Sequence, residues 1–416
     1  MKRVAIMSIF QLTNRKYKKA VEWVREHSYG IDSLEKCEIN DFNFLENILK
    51  DKQIVWLGEN GHGIAEHNLL KSKLIEFLYH KMGFKVIAFE SGLSECYSAN
   101  YFKDDISVNE LMDKSIFSLW KTEETLPLFE LIKGSDLNLI GFDFQPSSKQ
   151  NLFVDLLDKL DIDLPLKFKL SIKALDKATM DWYMRIGKLK GERKKIPRHI
   201  MQEYLETQKE LTELFSSLHK TLEELEKEFI RKDMHIYFQL IQRVIENRRL
   251  LLSNLATGQR TYKTIRDQIM AHNLEWICEK LYPNEKIIVW AHNSHIYKNY
   301  ENLIKYKPMG SLMSPEMVSK SYYLGLFMYE GKAALNNKTI YDLVKPPKKS
   351  LEDYMNHNKS SISFIDFSDV SPNELNKWIF NKTLILESGT MQKLITPAQQ
   401  LDGIFFVKKV SPPHYL

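Results

Sequence analysis

The stretch from Gln53 to Cys96, QIVWLGENGHGIAEHNLLKSKLIEFLYHKMGFKVIAFESGLSEC, limits the choice of fold more than any other part of the chain. Two short apolar runs, Ile54 to Leu57 and Val86 to Phe89, have the length and residue types of buried parallel strands. The segment between them places Leu69, Leu70, Leu74, Phe77 and Leu78 on one helical face, with Gly83 as its stop signal. This predicts a β-α-β unit with a right-handed crossover. Glu59 and His62 follow the first run, and Glu90 follows the second. In open α/β sheets, functional groups gather at the carboxyl ends of strands.

The arrangement recurs twice further on. Leu137 to Phe142 reads as a buried strand ending at Asp143, and Gly141 signals a close backbone approach or a kink. Ile287 to Trp290 is another strand, with His292 and His295 just beyond it. Between these strands the character changes. Leu211, Phe215, Leu218, Leu222, Leu225 and Phe229 alternate at spacings of four and three, the seam of a long helix. KEFIRKD breaks that helix, with Asp233 as a cap. A second helix carries Tyr237, Leu240, Ile241, Val244, Leu251 and Leu255. Together they predict an antiparallel helical hairpin, which either buttresses the domain or walls a pocket.

The expected architecture is therefore α/β, with a mostly parallel central sheet flanked by helices. Residues 1–150 form the first part of the α/β domain, 151–260 the inserted hairpin and 261–416 the second part. Polar helices lead the chain, Leu126-Pro127 starts a helix, and Thr264 to Leu281 is a further amphipathic helix. Tyr322 to Phe327, Leu384 to Leu386 and Gly403 to Val407 read as late strands. The loop from Asn299 to Met313 is placed beside the site, Pro346 and Pro347 in an exposed loop, and SPPHYL in a loose tail with His414 at the surface.

Composition narrows the partners. The 59 basic and 54 acidic residues nearly cancel, leaving a net charge of +5, only a weak hint of nucleic-acid or anionic-surface contact, and no nucleic-acid partner is expected. No apolar run approaches the roughly 18 residues that a membrane span needs. The basic start lacks both a long apolar segment and a cleavage site. Cys37, Cys96 and Cys278 have no metal-binding spacing and read as reduced thiols. A cytoplasmic protein acting on a small molecule fits these features.

Four predicted strands thus deliver Glu59 with His62, Glu90, Asp143, and His292 with His295 to one sheet edge, where an active site is expected. Histidine titrates near neutrality and is the default base for activating water. A neighbouring Glu59 or Glu90 would fix its tautomer and stabilise the imidazolium. Glu66 and Lys71 lie on the helix that starts at the site, as supporting groups or as a solvated face. No Gly-x-Ser-x-Gly elbow or cysteine nucleophile motif is present, which favours direct attack by water. Two competing readings remain. His292-x-x-His295 with His62 and carboxylates would ligate zinc or iron, or the cleft would bind a bulky ligand without turning it over.

The runs LGENGHGIAEHNLLKSKL, GFKVIAFESG, GFDFQ, IRDQIMAHNLEW, IIVWAHNSHI and LDGIFFVKKV together resemble the erythromycin esterase family, nearest its type II macrolide esterases. The resemblance implies hydrolysis of the macrolactone ester of erythromycin-type antibiotics, with ring opening and resistance. It also implies an α/β domain bearing a helical hairpin, with the cleft between them, and no obligatory metal or other cofactor. By position it makes His62 the general base and Glu59 and Glu90 its orienting groups. His292 and His295 would stabilise the oxyanion or the leaving alcohol. Lys71 stands where some type II members carry arginine, and Arg266 with Asp267 matches an Arg-Asp pair. The region 150–260 carries no matching motif and is the expected specificity wall.

Overall fold

Short apolar runs alternating with helices give a mixed α/β fold with a large, mostly parallel central sheet flanked by helices. A computed structural model describes residues 2–192, 194–299 and 307–416, with side chains from residue 15 onward. The strands are β1 (Ser28–Ile31), β2 (Ile54–Leu57), β3 (Phe84–Gly92), β4 (Asn138–Asp143), β5 (Lys286–Trp290) and β6 (Ser321–Ala334). They continue as β7 (Ile340–Asp342), β8 (Ile362–Asp366), β9 (Thr383–Glu387), β10 (Met391–Ile395) and β11 (Gly403–Val410). The helices used below begin with α1 (Lys2–His27), α2 (Phe44–Leu49), α3 (Ala65–Met82), α4 (Leu93–Tyr101), α5 (Val108–Ser115) and α6 (Leu126–Lys133). After them come α7 (Phe153–Lys159), α8 (Leu166–Gly191), α9 (Arg198–Arg231), α10 (His235–Asn254), α11 (Gln259–Trp276) and α12 (Asn293–Ile296).

The chain divides into two compact units. The first comprises residues 1–85, 119–131 and 286–416. In it β2 pairs in parallel with β5 on one side and β6 on the other. β6 pairs in parallel with β11, and β8 and β1 follow antiparallel. β9 and β10 form a separate hairpin. The run Ile54 to Leu57 is wholly buried, as expected for a strand covered on both faces. Helix α3 ends at Gly83, where φ is +71°. Its buried surface is wider than a single apolar stripe, because His67, Asn68, Lys71 and Ser72 are buried beside Leu70, Leu74, Phe77 and Leu78, while Leu69 is only half-buried. Pro346 is likewise buried, although its lysine neighbours Lys345, Lys348 and Lys349 are exposed.

The SPPHYL segment is not loose. Ser411 donates its backbone N–H and hydroxyl to Glu66, each at 2.8 Å, and accepts from the Ala65 N–H at 2.9 Å. Tyr415 pairs with Thr122 in an antiparallel bridge. His414 is exposed as expected, and its pKa is raised by its hydrogen bond to Glu124. A sequence search for regular periodicity cannot find such an anchor, since it consists of single backbone pairings. The loop expected beside the site lies outside the described residues over positions 300–306.

The second unit comprises residues 86–118 and 132–285. In it β3 and β4 pair in parallel, with a register shift between Phe89 and Gly92. β3 thus runs past its predicted end at Phe89, and Glu90 lies within it. The close approach anticipated at Gly141 is real, because a Cβ there would sit 2.2 Å from the Gly92 carbonyl oxygen and 2.4 Å from that of Ser91. Helices α9 and α10 fold back on one another through the predicted seam, with Leu211, Phe215, Leu218 and Leu222 buried on one and Leu240, Ile241, Val244 and Leu251 on the other. Each such side chain contributes about 1.5–3 kcal/mol of transfer free energy. A third long helix, α8, packs on both. Asp233 is not a cap by its side chain. It takes a left-handed φ of 57° just past the end of α9, a conformation that short polar residues tolerate. Arg248 on α10 ties the insertion to α4, donating to Glu95 and Ser94 at 2.7 Å and to Asp176 of α8 at 2.8 Å.

These two glycines make unequal demands. At Gly83 a Cβ meets nothing within 4 Å, so Gly83→Ala costs only the left-handed backbone penalty, roughly 1–2 kcal/mol. Gly141→Ala must push β3 from β4, and its urea midpoint should fall at least twice as far. Equal midpoints would contradict the pairing described.

Candidate active site

The first unit places its functional groups at the carboxyl ends of the paired strands β2 and β5. Glu59 follows β2 and is fully buried, with its carboxylate saturated by three donors. Oε1 accepts from His62 Nδ1 at 2.6 Å and from Trp120 Nε1 at 2.9 Å, and Oε2 accepts from Lys71 Nζ at 2.9 Å. Burial by itself would raise the Glu59 pKa. Lys71 first, and then His62, outweigh it and hold the carboxyl down at about 2. Lys71 is itself fully buried, with its ammonium 3.8 Å from the centre of the Trp290 ring. It is no solvated-face residue.

The hydrogen bonds assign the histidine tautomers. His62 gives its Nδ1 proton to Glu59, which leaves Nε2 of the neutral ring with its lone pair. His292 is arranged the other way. As the N-cap of α12 its Nδ1 accepts from the Ser294 N–H at 3.0 Å, so its neutral ring carries the proton on Nε2. The two ring centres are 5.0 Å apart, and that of His295 is 6.5 Å from His292. A proton acceptor and a proton donor thus stand side by side. The edge of the Trp120 ring packs at 84° to His62, with centres 4.9 Å apart. The Asn293 N–H donates to the Glu59 carbonyl at 2.8 Å, joining the two strand-end loops.

Glu66, on the first turn of α3, spends both carboxylate oxygens on Ser411. In the second unit, Arg266 on α11 bridges Asp143 and Glu90, with Nη2 at 2.6 Å from Asp143 Oδ2 and 2.7 Å from Glu90 Oε1. Burial works against the Arg266 charge, and Asp143 and Glu90 more than restore it. Asp143 also accepts from the Gln145 N–H, and Gln145 donates to the Tyr262 hydroxyl at 2.6 Å.

Sequence reasoning missed Trp120, which ends a short 3-10 helix (Ser118–Trp120) 61 residues from Glu59, and His67. Burial, opposed by Glu59 and reinforced by Lys71, pushes His67 down to about 4, so it is a neutral ring beside the charged pair. The helix-start pattern His292-Asn293-Ser294 was a usable signal for the tautomer of His292. The cysteines offer no nucleophile. Burial pushes the Cys37 thiol up to about 11, and Cys96 and Cys278 are raised as well. Among the described residues, no group of three or more His, Cys, Asp or Glu side chains is arranged to hold a metal ion. No described helix is long and apolar enough to cross a membrane.

Strand-end carboxylate and histidine groups on an α/β scaffold make this the candidate active site. The sequence profile of the family described as erythromycin esterase matches residues 79–410, and the chain belongs to that family. It is 26% identical over 414 residues to "Putative hydrolase YbfO" of Bacillus subtilis (strain 168), covering 94% of this chain and 91% of that one. It is 22% identical over 407 residues to "Erythromycin esterase type II" of Escherichia coli, covering 89% and 93%. In fold it is similar to a Bacillus cereus protein of known crystal structure, with a TM-score of 0.73 at 19% identity over 96% of this chain and 99% of that one. It is also similar to a histidine-to-asparagine variant of the erythromycin esterase EreC in its open conformation, with a TM-score of 0.64 at 17% identity over 93% and 98%. The family and these relatives make the chain an esterase-like hydrolase.

Removing one partner of a buried ion pair strands the other. Lys71→Met should therefore destabilise the protein by roughly 3–5 kcal/mol, and adding Glu59→Gln should recover part of that loss. The Glu59 carboxylate, depressed from 4.5 to about 2, contributes stability that is fully present above pH 4.5 and is lost as pH falls through about 2. Urea titrations from pH 7 to pH 2 should show this loss in wild type and not in Glu59→Gln/Lys71→Met. An equal acid loss in both would contradict the assignment.

Proposed function

We propose that this protein opens the macrolactone ester of an erythromycin-type macrolide by general-base activation of water. The observation that carries the reading is what faces each Nδ1, the Glu59 carboxylate at His62 and the Ser294 N–H at His292, from which opposed tautomers are assigned. His62 Nε2 takes a proton from water as the water oxygen bonds to the ester carbonyl carbon. Glu59, ionised at every physiological pH, stabilises the imidazolium that forms. The Nε2–H of His292 donates to the developing oxyanion, and His295 completes that polar set. Collapse of the tetrahedral intermediate breaks the bond to the ring oxygen, which leaves with the proton returned by His62. The products are an alcohol and a carboxylic acid, which gives its proton to solvent, in one opened chain.

The macrolide assignment is supported by the family and by the name of the Escherichia coli relative. Glu90, Asp143 and Arg266, two carboxylates sharing one guanidinium, are assigned to substrate binding or its support. The 151–260 insertion is assigned to substrate choice, since Tyr183 of α8 donates to Gln145 two residues beyond Asp143. Three free cysteines agree with a cytoplasmic enzyme, and resistance to the antibiotic is the expected effect on its host.

Incubating chelator-treated protein with erythromycin, followed by mass spectrometry, tests this directly. The expected product is heavier by one water and forms equally after chelation. His62→Ala should lower kcat/KM about 10²–10⁴-fold in a protein that still folds, with thermal stability reduced by the lost hydrogen bond to Glu59, roughly 1–3 kcal/mol. Unchanged erythromycin with hydrolysis of other lactones would move the substrate. Activity restored only by added metal would overturn the base mechanism.

A further inference from the structure

We propose that the segment Ser411–Leu416 is a positioning strap for the general base, acting by fixing Trp120 and the start of α3 on either side of the Glu59–His62 pair. The inference rests on the reading of Glu59 and His62 given above.

The strap touches both flanks of that pair. On one side Ser411 is held by Glu66 and by the Ala65 N–H, three residues after His62 and at the first turn of α3. On the other side it pairs with the segment that carries Trp120. The Glu123 N–H donates to the His414 carbonyl at 2.8 Å, and the Leu416 N–H donates to the Lys121 carbonyl at 3.0 Å. Thr122 faces Tyr415 in the bridge. The same few residues hold Trp120 from within. Thr125 Oγ1 donates to the Trp120 carbonyl at 2.5 Å and accepts from the Thr122 N–H at 3.3 Å, and both threonines are fully buried. The Ser72 hydroxyl on α3 is shared between the Asn68 carbonyl at 2.8 Å and the Glu124 carbonyl at 3.1 Å, which brings the loop back onto the helix carrying Lys71.

The consequence is geometric. Trp120 Nε1 and His62 Nδ1 share one carboxylate oxygen, Glu59 Oε1. A displaced indole gives up its hydrogen bond to that oxygen and its edge contact with the imidazole together. Both the direction of the Glu59 lone pair and the orientation of the base therefore depend on where residues 120–125 lie. Those residues have little regular structure of their own before α6 begins. The strap supplies the pairing that an added strand would.

Trp120 is thus a positioning residue, and the strap acts through it. The test uses the full chain, a chain ended at Pro413, Trp120→Phe, and the two changes combined. Ending at Pro413 removes the His414 carbonyl and that residue's Glu124 contacts as well as the Leu416 N–H. The chain ended at Pro413 should lose about tenfold in kcat/KM, the worth of one hydrogen bond, through kcat with KM unchanged. On the Trp120→Phe background the same truncation should cost no more than about twofold further, because the two changes break one connection. Multiplying effects would overturn the proposal.

A second readout does not need turnover. In protein with labelled indole nitrogens, ending the chain at Pro413 should shift the Trp120 Nε1–H signal and increase its hydrogen exchange, with the other tryptophans unmoved. A chain ended at Tyr415, which loses only the Leu416 N–H bond, should shift it less. An unchanged Trp120 signal overturns the strap whether or not an ester is hydrolysed. A wild-type protein that hydrolyses no ester, yet shows the shift, overturns the proposed function alone.

Discussion

A carboxylate taken wholly out of water must find all its solvation within the protein, and Glu59 sets the terms for everything around it. Its desolvation is offset by one cation, one indole N–H and one imidazole N–H, each delivered by a different part of the chain. Lys71 comes from α3, Trp120 from the short 3-10 helix before α6 and His62 from the turn after β2. None can be displaced without leaving charge unpaired in a medium where that is costly. This rigidity makes the imidazole useful, because a base held in one tautomer and orientation needs no reorganisation during reaction.

The scaffold explains how such a site is assembled. β2 is buried on both faces and flanked by parallel partners, so its end is a fixed point. The Asn293 N–H joins the turn after β5 to the Glu59 carbonyl, which places His292 next to His62. The short α12 then orients His292 by using its ring as the cap of its own helix. The opposite proton positions on the two imidazoles follow from one ring facing a carboxylate and the other a backbone N–H. The charged groups of the second unit obey the same rule, with Arg266 answered by Asp143 and Glu90.

Much of this was legible in the sequence where a local pattern carries the information. β2 and β5 read as continuous apolar runs, α3 ends at Gly83 as its stop signal required, and the helical seam in α9 and α10 matches the buried residues. Gly141 announced the close approach of β3. What escaped was carried by partners distant in sequence. Trp120 belongs to no period, and the pairing of Tyr415 with Thr122 is a single bridge. Asp233 looked like a cap because its residue type suits caps, yet the same short polar side chain also suits a left-handed turn. α8 was overlooked, since its apolar positions are diluted by lysines. α3 looked amphipathic because burial of Lys71 and His67 cannot be inferred from their residue types. They are buried because Glu59 is.

The central claim is that Glu59 fixes His62 with its proton on Nδ1 while His292 carries its own on Nε2. Nitrogen NMR of histidine-labelled protein, at a pH where both rings are neutral, measures this directly, because protonated and unprotonated ring nitrogens resonate far apart. The account predicts opposite tautomers, with His62 bearing a lone pair on Nε2. Finding both rings in the same tautomer, or the His62 proton on Nε2, would contradict it.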